Sequence, residues 1–286
     1  MHTTLVSTET LAAHLVDPAW VVVDCRFTLT DPEAGRKAWE AWRIPGARYA
    51  HLDQDLSSPR RRDSGRHPLP DPQRFIETLR RWGIGNSTQV VAYDDSFGAM
   101  AVRLWWLLRW VGHPAVAVLD GGLPVWRRQR LPIDEATPAP RAEREPVALT
   151  PQPNAAPAVD ANFVARIAAD PRWRLIDARA EDRFAGEREP LDPVAGHIPG
   201  SVNRNFEDNL ALDGTWLTAE ALRAEFTALL GDVAPDQVVH SCGSGVTACH
   251  NLLAMEHAGL AGSRLYAGSW SEWITDPQRP VARGPA

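Results

Sequence analysis

Apolar positions along the chain fall into two alternating patterns. Short uninterrupted runs rich in β-branched residues, at 21–23, 90–92, 115–119, 175–176 and 238–240, are bounded by turn-forming residues. Such runs predict strands buried on both faces, as in a parallel sheet covered by helices on either side. Longer stretches with helical spacing lie between and after them, at 72–82, 99–110, 160–169, 219–230 and 247–258. Strand alternating with helix predicts an α/β architecture with a mostly parallel sheet. Functional loops are then expected at the carboxyl ends of the strands.

The pattern occurs twice. VVVDCR, RIPGA, VVAYDD and LDGGLPVW in the first half are answered by RLIDAR, HIPGS, VVHSC and YAGSWSEW in the second, in the same order. Gly98 and Gly245, Gly121 and Gly268, and Trp126 and Trp273 are each 147 residues apart, while Asp24 and Asp177, and Arg26 and Arg179, are each 153 apart. Agreement in both order and spacing predicts a tandem duplication. The expected division is an N-terminal domain over 1–130, a linker over 131–157 dense in proline, and a C-terminal domain over 158–286. Proline fixes φ and removes a backbone donor, so the linker is expected to be extended.

Composition narrows the classes. A chain that is 44% hydrophobic and 23% charged can bury a core, which excludes a disordered or collagen-like protein. The net charge of −6 argues against a nucleic-acid partner. No apolar run is long enough for a membrane span, and Glu9 interrupts what would be a signal peptide's core. Three cysteines, Cys25, Cys242 and Cys249, do not make a disulfide framework and suit a reducing, cytoplasmic setting.

Candidate chemistry concentrates where the apolar run at 238–240 ends. Cys242-Gly243-Ser244-Gly245-Val246-Thr247 leads from that strand into a helix. Glycines let successive amides turn inward as an anion nest, and the helix N-terminus adds its positive end. Such surroundings favour a thiolate, hence a nucleophile. The competing reading is a plain strand-to-helix turn with a core cysteine. On the 147-residue offset Asp95 stands where the second half has Cys242, so only the second half carries the candidate nucleophile.

The repeated DxR and IPG(A/S) motifs, the terminal GSWSEW and the loop CGSGVTA together resemble the two-domain rhodaneses, the thiosulfate and 3-mercaptopyruvate sulfurtransferases. The resemblance implies tandem rhodanese-like domains, each a mostly parallel sheet flanked by helices on both faces, with the C-terminal one catalytic. It implies that Cys242 takes sulfur from a small anionic donor as a persulfide and passes it to a thiol or cyanide acceptor, thioredoxin being one candidate. No cofactor and no metal is implied. The loop C-G-S-G-V-T resembles that of the mercaptopyruvate type, whereas the thiosulfate type resembles C-R-K-G-V-T. Gly243, Gly245, Val246 and Thr247 are then expected to face the donor. In the mercaptopyruvate type a serine, a histidine and an aspartate assist; the resemblance places these on Ser244, His67 and Asp53, and so puts the site between the two domains. That type also holds the donor's carboxylate with two arginines. Arg183 matches the first, Leu191 stands at the second, and Arg188 is a nearby substitute. A thiosulfate-preferring enzyme and a persulfide relay without turnover remain as alternatives.

Two other chemistries fit less well. Cysteine phosphatases carry C-x5-R, but Ala248 follows Cys242 at that distance and the next arginine is Arg264. His240, Cys242, Cys249 and His250 lack the paired spacing of a zinc site. Arg26 and Arg179, present in both halves, are expected to pair with acidic neighbours, and Trp126 and Trp273 to fill the cores.

Overall fold

The structure is a computed structural model and describes residues 1–135, 148–151 and 157–285. The chain forms two compact units. The first takes in Met1–Ser58, Leu69–Ala155 and Leu212–Trp216; the second takes in Pro59–Pro68, Ala156–Ala211 and Leu217–Ala286. Each unit therefore includes a short segment from the other half of the sequence. Most of the proline-rich stretch at 131–157 lies outside the described residues. Its described residues at 131–135 and 148–151 belong to the first unit, where Asp134–Glu135 pairs antiparallel with Trp42–Arg43 and Leu149 is buried, and Pro157 belongs to the second.

The first unit is built on a five-stranded sheet in the order Leu5–Val6, Val116–Leu119, Gln89–Tyr93, Trp20–Asp24, Arg48–Tyr49, with every neighbouring pair parallel. The three central strands coincide with the apolar runs of the first half, because a strand covered on both faces has no polar side to alternate. Helix Pro72–Arg81 starts where Asp71 accepts the Arg74 amide at 3.0 Å with proline in the first turn, and ends on Arg80 and Arg81. Both ends suit the helix dipole and the unpaired amides of its first turn. Helix Ala101–Trp110 buries most of its length, and Val22, Val91, Ala117, Leu119 and Trp126 meet in one core cluster.

The second unit repeats this topology. Its sheet runs Ala158–Val159, Arg264–Tyr266, Val238–Ser241, Arg174–Asp177, Ser201–Asn203, again wholly parallel. Val164, Leu175, Val239, Tyr266, Trp270 and Trp273 form its core. Ser241 lies opposite Asp177 in register, so the two central strands end level. The residues that follow, Cys242 on one and Arg179 on the other, thus emerge at the same end of the sheet.

A buried ion pair marks that end in both units. Arg26 Nη2 reaches Asp24 at 2.7 Å and the Trp42 carbonyl at 2.7 Å; Arg179 Nη2 reaches Asp177 at 2.7 Å and the Gly196 carbonyl at 2.8 Å. The repeated arginine ties each strand end to the segment before the IPG turn. Removing either partner would strand a buried charge, at a cost of about 3–5 kcal/mol. Among the described residues no helix is long and apolar enough to cross a membrane.

Candidate active site

Strand Val238–Ser241 delivers Cys242 to the carboxyl edge of the second sheet, and helix Ala248–His257 begins six residues later. Cys242 is only 2% exposed, and its Sγ accepts the Gly245 amide at 3.2 Å. Gly245 has φ +75°, and a Cβ there would stand 2.2 Å from the Ala267 carbonyl oxygen, so only glycine allows the loop to close at this point. The loop is also held from the segment after Arg264–Tyr266. The amides of Trp270 and Ser271 donate to the carbonyls of Cys242 and Gly243 at 3.0 and 2.9 Å.

Ser269 is a site residue that the sequence reading did not single out. Its Oγ accepts the Cys242 amide at 3.0 Å and donates to the Tyr266 carbonyl at 2.9 Å. Its φ is +52°, an uncommon conformation for a residue with a Cβ. The residue 147 positions earlier is Gly122, with φ +56°. The first unit thus uses glycine at this left-handed position, whereas the second accepts the strain and gains a hydroxyl at the Cys242 backbone. A serine in place of the repeat's glycine was the signal available in the sequence.

Segment Pro59–Pro68 brings His67 into the same unit, with Nδ1 2.8 Å from Ser244 Oγ. Both side chains are buried. The preceding Arg66 donates its amide to Ser271 Oγ at 3.0 Å and its guanidinium to Asp192. Arg183 also belongs to this group. Its Nη2 reaches Glu189 at 2.7 Å, and Asp192 at 3.7 Å. Arg179 Nη1 meets Glu189 at 3.4 Å. Burial alone would raise the Glu189 carboxyl, yet the Arg183 hydrogen bonds and the amides of Leu191 and Asp192 hold it below the usual carboxylate range. Three guanidiniums, on Arg66, Arg179 and Arg183, are therefore matched by the carboxylates of Asp177, Glu189 and Asp192.

Arg188 donates from Nε to Asp182 at 2.6 Å, and its side chain is 59% exposed. Leu191 is 38% exposed. Asp53 belongs to the first unit, where it is exposed and its amide donates to His51 Nδ1 at 3.1 Å. The basic run Arg60–Arg62 is exposed. Cys25 and Cys249 are buried, and burial pushes the Cys25 thiol well above its ordinary value.

The corresponding loop of the first unit is already filled. Asp94, fully buried, accepts the amides of Ser96 and Gly98 on Oδ1 at 2.9 and 2.8 Å, and those of Met100 and Ala101 on Oδ2 at 2.8 Å. Gly98 is the repeat counterpart of Gly245. The amide that faces sulfur in the second unit faces a carboxylate of the chain itself in the first.

Comparison with known proteins finds one family twice along the chain. The family described as rhodanese-like domain matches residues 7–129 and again 160–276. A Pseudomonas aeruginosa protein named "Probable 3-mercaptopyruvate sulfurtransferase" is 49% identical over 282 residues, which cover 98% of each chain. The thiosulfate sulfurtransferase of Mus musculus is 32% identical over 297 residues, covering 99% of this chain and 97% of its own. Among solved structures, the 3-mercaptopyruvate sulfurtransferase from Leishmania major has a TM-score of 0.84 at 29% identity, covering 97% of this chain and 75% of that one. With two matches that follow its internal repeat and span most of its length, the chain belongs to the rhodanese family, as a tandem of two rhodanese-like domains.

Proposed function

We propose that the chain is a sulfurtransferase whose nucleophile is Cys242 and whose first donor is 3-mercaptopyruvate. The Cys242 thiolate attacks the donor sulfur. The sulfur–carbon bond breaks, its electron pair leaves as the enolate of pyruvate, and a proton converts the enolate to pyruvate. Cys242 is left as a persulfide. An acceptor thiolate or cyanide then attacks the outer sulfur and restores the thiolate; thioredoxin is one such acceptor. The observation that carries the reading is the Gly245 amide at 3.2 Å from Cys242 Sγ, in a loop that also holds the His67–Ser244 pair. An amide there stabilises negative charge on sulfur, and an imidazole joined to a hydroxyl is suited to deliver a proton to the leaving enolate. The part that the resemblance gives Asp53, fixing the His67 tautomer, belongs to the same proposal, as do the inertness of the first domain and a cytoplasmic location.

Steady-state kinetics with 3-mercaptopyruvate and with thiosulfate, each with cyanide or a small thiol as acceptor, test it. Turnover in the wild type and none in Cys242→Ser is the expected result. Turnover that survives in Cys242→Ser overturns the nucleophile. A wild type that ignores both small donors supports a relay instead, and a strong preference for thiosulfate reverses the donor order.

A further inference from the structure

Two guanidiniums converge on the residue after the nucleophile. Gly243 has no side chain, and a Cβ there would stand 2.8 Å from Arg66 Nη2, with Arg183 Nη2 and Nη1 at 3.5 and 3.7 Å. The two arginines come from segments far apart in sequence, so their meeting is a product of the fold. Arg66 is fixed at its backbone. Its amide is held by Ser271 Oγ at 3.0 Å, and the preceding Gly65 packs so closely that a Cβ would lie 2.6 Å from the Gly268 carbonyl oxygen. The following residue, His67, contacts Ser244. One short segment therefore presents an imidazole and a guanidinium to the same loop. Arg66 Nε is buried and among the described residues takes no hydrogen-bond partner, and Asp192 Oδ2 is likewise buried without one, 3.7 Å from Arg183 Nη2. Arg66 is thus held by one oxygen of Asp192 while part of its donor capacity stays unused. A guanidinium fork is built to meet a planar carboxylate through two parallel bonds.

We propose that Arg66 is a donor-binding residue: with Arg183 it takes the carboxylate of a singly charged mercapto acid, and Asp192 is the counter-charge that disfavours a doubly charged donor. The assignment rests on the sulfur-transfer reading of Cys242. The physical basis is charge balance. Glu189 and Asp192 already neutralise the two guanidiniums, so an arriving monoanion exchanges with Asp192 at Arg66, one negative charge for another. A dianion brings a second negative charge beside the displaced carboxylate, in surroundings too buried for water to screen it well. Leu191, where a second arginine is expected by resemblance, brings no charged side chain to this arrangement; only its amide takes part, donating to Glu189 at 3.0 Å.

The test compares the wild type with Arg66→Met, Arg66→Lys and Asp192→Asn. The readouts are kcat and KM for 3-mercaptopyruvate and for thiosulfate, and the inhibition constant of pyruvate as a sulfur-free carboxylate. Arg66→Met is expected to raise KM for 3-mercaptopyruvate and the pyruvate inhibition constant together by about tenfold or more, with Arg66→Lys recovering part of the loss. Asp192→Asn is expected to shift the ratio of kcat/KM values about tenfold toward thiosulfate. An Arg66→Met protein that keeps both constants within about twofold of wild type overturns the assignment of Arg66. An unchanged donor ratio in Asp192→Asn overturns the role of Asp192, and this arm stands even if Arg66→Met does not fold. Failure of the sulfur-transfer reading has its own signature, no turnover in the wild type; pyruvate binding, followed by calorimetry on wild type and Arg66→Met, still reports on Arg66.

Discussion

At the scale of single residues, the repeat sets two loops of the same design side by side, one built around a carboxylate and one around a thiol. The Gly98 amide serves Asp94 and the Gly245 amide serves Cys242. A cysteine placed at position 95 would meet a loop whose amides are already occupied by four hydrogen bonds to Asp94. The double variant Asp95→Cys, Cys242→Ser is therefore expected to show no turnover with either donor; measurable turnover would refute this account of the first domain. Ser269 permits a second prediction. Ser269→Gly removes left-handed strain and two hydrogen bonds together, so its unfolding free energy should stay within about 1 kcal/mol of wild type. Its kcat/KM should nonetheless fall about tenfold, because the Cys242 amide loses its anchor. Ser269→Ala keeps the strain and loses both bonds, and should cost about 1–3 kcal/mol. Urea unfolding and steady-state kinetics on the same preparations separate the two effects.

At the scale of elements, strand Val238–Ser241 carries a cost that its neighbours do not share. His240 is fully buried, and among the described residues neither ring nitrogen has a hydrogen-bond partner. Burial, with a smaller contribution from Arg204, pushes its pKa down to about 3 from an ordinary 6.5. Between these values the unfolded chain binds a proton that the folded chain refuses. The stability tied to a neutral His240 is thus complete above about pH 6.5, is lost as pH falls, and is gone by about pH 3. The rate of loss is about 1 kcal/mol per pH unit. His240→Leu should remove this slope; urea unfolding between pH 7 and pH 4 should show wild type losing stability faster than the variant. Equal slopes would show that His240 is not the group responsible. The elements the sequence revealed most clearly are the central ones. The apolar runs at 21–23, 90–92 and 238–240 lie within observed strands, and the helices expected at 72–82 and 219–230 appear as Pro72–Arg81 and Ala219–Leu230. Edge strands such as Leu5–Val6, Arg48–Tyr49 and Ala158–Val159 are two residues long, too short to carry a period, and exist only because a neighbour pairs with them.

At the scale of the whole molecule, the two compact units do not coincide with the two halves of the sequence. Segment Pro59–Pro68, with Arg66 and His67, belongs to the second unit, and Leu212–Trp216 belongs to the first. A fragment beginning at residue 158 therefore lacks two side chains that stand at the Cys242 loop. Such a fragment, checked for folding by circular dichroism, should show no measurable turnover, whereas the full chain is active; full activity in the fragment would mean that Arg66 and His67 are dispensable. The duplication, the α/β class, the parallel central strands and the Cys242 loop were legible in the sequence. Each of these is written in local order: apolar runs, glycine spacing and motifs repeated at fixed offsets. Packing fixes the rest: it sets His67 against Ser244, a pairing that the sequence offered by resemblance alone, brings Arg66 and Arg183 together on Gly243, turns Arg188 to Asp182, and has Ser269 hold the Cys242 amide. These relations join segments up to 205 residues apart, as Arg66 and Ser271 are. No local period encodes them, because they arise when packing brings strand ends and loops to the same place.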